Sequence, residues 1–252
     1  MSDQPRDDQL CFYLNVHRDH DLAASCLRRL RRRYPAARVM VVSDGDDDPR
    51  YPLLARRHGA EYVRGERLYL LPCGGRVVQR MLDLFAEAPA AWLFKLDPDT
   101  RFHRRFRYAP TGCAVFGTLE RVTPNSGERL DPPNVQGGIV GLTREAALRL
   151  RESGLLLSAE LLDYRNTWAC CTGMLRRAAA GFVSFDFVLR YACIRLGIPL
   201  LEYPEVHSVW RGRVRNRGRR FAATHPHKRL PLWERWLLTS RRLRRRVGAA
   251  LG

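Results

Sequence analysis

Short runs of apolar residues alternate along this chain with segments whose apolar positions recur at helical spacing. The first run, Leu10 to Val16 (LCFYLNV), reads as a buried strand. A helix follows it, opened by the capping candidates Asp19 and Asp21 and carried by Leu22, Leu27 and Leu30 as far as Pro35. Arg38 to Ser43 (RVMVVS) predicts a second strand, a short helix lies near 52–58, and Ala60 to Val63 predicts a third strand. After Pro72-Cys73-Gly74-Gly75, a helix over 76–87 gathers Val77, Met81, Leu84 and Phe85 on one face. The fourth strand, Ala91 to Leu96 (AWLFKL), runs into Asp97-Pro98-Asp99-Thr100.

Beyond that point the texture becomes a meander: a strand at 114–119, a Gly/Pro/Asn loop, then Gln136-Gly137-Gly138-Ile139-Val140-Gly141. Helical patterns follow over 143–153, 159–180 and 185–196, and a strand pair at 199–203 and 206–210 closes the body. Repeated βα units predict an α/β fold with a mostly parallel sheet flanked by helices. One domain over 1–229 with a basic extension over 230–252 accounts for the 252 residues.

Charge changes the picture only at one end. The net charge is +18, carried by 42 arginines and two lysines, Lys95 and Lys228. Such arginine dominance accompanies GC-rich coding, so the preference over lysine carries little weight. Its distribution carries more: from Arg211 onward there are 14 basic residues and one acid, Glu234, which leaves only +5 for the first 210 residues. Over 232–251, Leu232, Trp233, Trp236, Leu237, Leu243, Val247 and Leu251 form an apolar stripe at helical spacing, interrupted by Arg244 and opposed by Arg235, Arg242, Arg245 and Arg246. Two roles fit that stripe: packing onto the body, or peripheral contact with an anionic membrane. No apolar run reaches the roughly 18 residues of a membrane span and no signal-type stretch follows Met1, so a cytoplasmic protein is expected. Seven scattered cysteines without a Cys-x-x-Cys pair read as buried free thiols.

Asp97 and Asp99 are the most informative pair. In extended chain, residues i and i+2 point to one side, so both carboxylates can converge on one hard cation just past a buried strand. A surface turn is the competing reading. Asp44-Gly45-Asp46-Asp47-Asp48 imitates the start of a calcium loop, but Pro49 stands where that loop needs Gly and Ala55 where it needs Glu.

The set VVSDGD, LFKLDPDT, VQGGIVG and VSFDFVLRYACIRLGIPL, in that order, resembles the GT-A superfamily of nucleotide-sugar glycosyltransferases over roughly residues 10–228. The resemblance implies a GT-A fold and a metal-dependent transfer of a sugar from a nucleoside-diphosphate sugar to a hydroxyl acceptor. It implies that Asn15 and Asp44 contact the nucleoside. Asp97 and Asp99 would hold Mn²⁺ or Mg²⁺ against the diphosphate, where a cation stabilises the departing charge. A third metal ligand is expected from a late histidine, with His225 preferred to His227 and His207, and Lys228 placed to meet a phosphate. Asp186 corresponds to the carboxylate that deprotonates the acceptor, a helix cap being its competing role. Gln136, Gly137 and Gly138 would admit the sugar or acceptor close to the backbone, and Arg80 would contact the diphosphate unless it is a solvated helix-face residue.

Two other classes were weighed. A sugar-phosphate nucleotidylyltransferase on the same fold needs a Gly-rich loop after the first strand, where this chain reads Asn15-Val16-His17-Arg18-Asp19. A basic membrane- or nucleic-acid-binding protein draws on the charge of the tail, and the body's charge count argues against a nucleic-acid groove.

Overall fold

The structure is a computed structural model, and it describes residues 4–45, 48–68, 74–122, 129–158, 185–209 and 220–227. The expected 159–180 helix, Lys228 and the 230–252 extension lie outside the described residues.

Four parallel strands form the first half of the main sheet: β1 (Leu10–Val16), β2 (Arg38–Asp44), β3 (Glu61–Gly65) and β4 (Trp92–Leu96). They alternate with α1 (His20–Arg33), α2 (Arg50–Arg57) and α3 (Gly74–Ala86). A two-residue β5 (Arg101–Phe102) precedes β6 (Val115–Val122), β7 (Arg129–Thr143), α4 (Arg144–Glu152), α5 (Phe185–Leu196), β8 (Leu200–Glu202), β9 (Val206–Ser208) and β10 (Ala223–His225). The seven-stranded sheet has the order β3-β2-β1-β4-β7-β6-β8, and only β7 runs against the others. A mostly parallel sheet flanked by helices is therefore the architecture.

Both faces of the sheet are covered, which is why its strands read as continuous apolar runs rather than alternating ones. Along β1, Cys11 and Tyr13 join the core under α3, α4 and α5, while Leu10, Phe12, Leu14 and Val16 join the core under α1 and α2. The second core is an aromatic cluster. Phe94 stacks on Phe106 at 4.6 Å between ring centres, and Phe12, Tyr34, Phe102, Phe116 and Tyr203 surround the pair. Cys11, Cys26 and Cys193 are buried free thiols and Cys113 is half-buried. Burial pushes the Cys11 thiol up to about 12. Among the described residues, no helix is long and apolar enough to cross a membrane.

Three local readings are corrected. The closing strands do not pair with each other: β8 extends the main sheet beside β6, whereas β9 pairs with β10 in a separate sheet of order β5-β10-β9. The Gly/Pro/Asn segment is partly strand, because β7 begins at Arg129 and is 15 residues long. Asp97-Pro98-Asp99-Thr100 is a turn closed by the Thr100 N–H donating to the Asp97 carbonyl at 3.0 Å, not extended chain.

Two features of this topology build a site. The sheet is wound outward in both directions from the β1–β4 pair, and such a reversal opens a crevice at the carboxyl ends of those strands. Because β7 is antiparallel, its residues 136–138 arrive at that same edge, where the Asp97 N–H donates to the Gly138 carbonyl at 3.0 Å.

Candidate metal centre and the crevice around it

Asp97 and Asp99 leave β4 on the turn, and β10 brings His225 over them. His225 Nε2 lies 3.2 Å from Asp97 Oδ2 and 3.1 Å from Asp99 Oδ1. One ligand atom from each of the three residues falls within 4.8 Å of the others. Asp99 and His225 are each 5% exposed, while the Asp97 side chain keeps 28% of its surface, so the turn is largely but not wholly buried. Burial alone would lower the imidazole; its hydrogen bonds to Asp97 and Asp99 outweigh that and raise it to about 9. Asp97 is half-buried, which disfavours its charge. The neighbouring Lys95 and His225 dominate and hold it well below the usual carboxylate range.

Two carboxylates and one imidazole suit a divalent cation, and the nitrogen donor favours Mn²⁺ over the strictly oxygen-seeking Mg²⁺. The ring is oriented from behind. Ser208 Oγ lies 3.0 Å from His225 Nδ1, the same hydroxyl donates to Gln136 Oε1, and that oxygen accepts the Gly138 N–H at 2.8 Å. Gln136 thus buttresses the His225 ring, the kind of outer hydrogen bond that metal-binding imidazoles commonly carry.

His227 and His207 stand apart from the cluster. His227 contributes its backbone N–H to Asp99 Oδ2 at 3.1 Å, and its ring meets Thr224 Oγ1 at 2.7 Å. Burial, Arg101 and His103 depress it to about 4. His207 stacks on Phe221 at 4.9 Å.

Lys95 joins this centre to the start of α5. Lys95 is 2% exposed, and its ammonium donates to Asp97 Oδ1 at 2.5 Å and to the Gly137 carbonyl at 2.6 Å and stands 5.0 Å from the Phe185 ring centre. Asp186 is the second residue of α5 and its carboxylate is held by the backbone of Gly137. Burial drives Asp186 up; Lys95 and the Gly137 bond pull it back, and the result is about 6.

Within the protein itself, the two glycines leave room for neighbouring side chains. A Cβ on Gly137 would collide with Asp186 Oδ1, and one on Gly138 with the His225 ring. They make room for the chain's own acid and histidine.

Sequence reasoning missed two participants. Lys95 looked like one residue of an apolar strand. Glu120 lies on β6 opposite Asn134 of β7; burial and then the nearby Asp186 raise it to about 7. Its only signal was an acid interrupting the strand TLERV.

A second group of polar residues lines the crevice past β1, β2 and β3. Asn15 is 7% exposed, and its Oδ1 is buried without a hydrogen-bond partner. Asp44 accepts the Leu68 N–H at 2.9 Å and the Arg80 guanidinium at 3.4 Å, with Arg67 at 3.3 Å. Arg80 also donates to the Glu66 carbonyl at 3.0 Å. It crosses over Gly65 and ties α3 to the β3 exit, so it is not a solvated helix-face residue. An open cleft of about 360 Å³, lined by Gly45, Arg64, Gly65, Glu66 and Arg67, adjoins this group. No protein-family model matches the chain, and no curated protein matches it.

Proposed function

We propose that this protein is a metal-dependent glycosyltransferase of GT-A type, acting on a nucleoside-diphosphate sugar. The observation that carries the reading is the convergence of Asp97, Asp99 and His225 at the carboxyl edge of the β1–β4 reversal, where α/β sheets take their ligands. The donor set fits Mn²⁺, which would supply positive charge to the departing diphosphate. Asn15 Oδ1, an acceptor buried without a partner, awaits an N–H or O–H from the nucleoside; Arg64 and Arg67 line the adjoining cleft. Lys95 holds Asp97 in place and keeps the carbonyl of Gly137 fixed, and Gly137 in turn orients Asp186. A carboxylate at about 6 is largely ionised at pH 7 and basic enough to take a proton from an attacking hydroxyl.

The experiment is a thermal-shift panel of nucleoside diphosphates with and without Mn²⁺. A ligand at a hundredfold excess over its Kd stabilises the fold by about 2.7 kcal/mol, so a matching diphosphate raises the midpoint, and only with the metal. Asp99→Ala removes the metal-dependent part. Equal shifts with and without Mn²⁺, or in the variant and the parent, would contradict the assignment.

A further inference from the structure

The body carries a concentrated positive face that its charge count conceals. On α1, Arg28, Arg29 and Arg32 stand at i, i+1 and i+4, share one side of the helix, and are exposed. β5 packs against α1 through Phe102, whose ring meets Tyr34 and Phe12 at 6.0 and 5.7 Å. That packing brings the exposed Arg101 beside Arg29. The α2 residues Leu53, Arg56 and Arg57, at i, i+3 and i+4, continue the face; Arg28 and Arg57 both act on His58 between them. Among the described residues, Arg28, Arg29, Arg32 and Arg101 form no ion pair. Their neighbours are engaged differently: Arg31 donates to the carbonyls of Ala37, His58 and Gly59, Arg104 binds Glu205, and Arg105 binds Asp7. Burial and the charges of Arg101, Arg32 and Arg28 all disfavour the charged form of Arg29. A cluster that repels itself is relieved by an anionic partner.

We propose that the face formed by Arg28, Arg29, Arg32 and Arg101 docks this protein on an anionic lipid bilayer. Arginine pairs with the phosphate of a headgroup through two parallel hydrogen bonds, and a row of guanidinium groups suits a plane of them. Leu53, 54% exposed, is the apolar residue the face offers to the interface. Single-stranded nucleic acid is the poorer match because it needs aromatic platforms, and none of the large exposed apolar residues described is aromatic. The sequence adds a second lipid-seeking element, the Trp and Leu stripe among arginines over 232–251. Arg101 lies two residues past Asp99, so one end of the face adjoins the turn that carries Asp97 and Asp99.

The test is co-sedimentation of the full chain with phosphatidylcholine vesicles and with vesicles containing half phosphatidylglycerol, at 50 and 500 mM salt. The parent chain is expected on the anionic vesicles alone, released by salt. The quadruple variant Arg28→Gln, Arg29→Gln, Arg32→Gln, Arg101→Gln should lower partitioning at least tenfold. A control with Arg6, Arg121, Arg129 and Arg195 changed to Gln removes the same charge elsewhere and should change it less than threefold. No binding by the parent, equal losses in both variants, or an unchanged quadruple variant would each overturn the proposal. So would random duplex DNA that strips the parent from vesicles at equal phosphate concentration, which would assign the face to nucleic acid.

Discussion

Asp186 and Glu120 are two half-buried acids near each other, and their behaviour follows from that. Asp186 at about 6 must be ionised to act as a base, so release of nucleoside diphosphate from the donor should rise with pH through about 6 and level off above it. Asp186→Asn should keep diphosphate and Mn²⁺ binding while losing about 10² or more of transfer. The charge of Asp186 disfavours ionisation of Glu120, which at about 7 is largely neutral while Asp186 titrates, so Glu120→Gln should leave the midpoint of the profile near 6. A midpoint moved to lower pH would show that Glu120 is already ionised beside Asp186. Asp97, Asp99 and Asp186 were legible in the sequence because each stands at the end of a strongly periodic element. Glu120 was not, because the helix that buries it comes from far along the chain. The path of the Arg80 side chain was not legible for the same reason: helical period places its Cα, but a long side chain can cross a neighbouring glycine to Asp44.

β7 and β10 carry the site's most demanding packing. Gly138→Ala should push the His225 ring off the two carboxylates and weaken Mn²⁺ binding at least tenfold. Gly137→Ala should displace Asp186 and reduce transfer with smaller effect on the metal; isothermal titration with Mn²⁺ separates the two. β9 is anchored to the β5 exit by Glu205, which binds the Arg104 guanidinium and accepts the Arg107 N–H at 2.9 Å. Burial raises its carboxyl, but those hydrogen bonds prevail and lower it. Its contribution is therefore complete above the ordinary carboxylate range and is lost as pH falls below it. Glu205→Ala should cost about 2–4 kcal/mol at pH 7 in urea unfolding, allowing for the partial exposure of Arg104, and the difference from the parent should shrink toward pH 3. Strand β1 and helix α5 have the limits the sequence gives them, since burial on both faces leaves an unbroken apolar run and α5 is apolar nearly all round. β5 and β10, at two and three residues, are too short to show a period. They exist because of their partners, and only the folded chain reveals that His225 lies over Asp97.

At the scale of the whole molecule, summed charge and arranged charge give different answers. A body of +5 looks ordinary, yet α1 and β5 place on one face Arg28, Arg29, Arg32 and Arg101, which form no ion pair among the described residues. Composition cannot show this, because the alignment depends on β5 folding back along α1. Docking and donor binding should be separable. Changing Arg28, Arg29 and Arg32 to Gln should leave the diphosphate-dependent thermal shift within a degree of the parent's while vesicle binding falls. A lost shift would mean that the face and the crevice are one site.

The burial of Lys95 also makes the molecule its own reporter. Lys95 and Lys228 are the only lysines, and the Lys95 ammonium is enclosed by Asp97, the Gly137 carbonyl and the Phe185 ring. An amine-reactive acylating reagent needs a free, deprotonated nitrogen, so it should modify Lys95 only in chains whose sheet has opened at β4. Mass spectrometry of the peptide containing Lys95, taken over time, would then read the opening rate of the central sheet directly, and Mn²⁺ with a bound diphosphate should slow that clock.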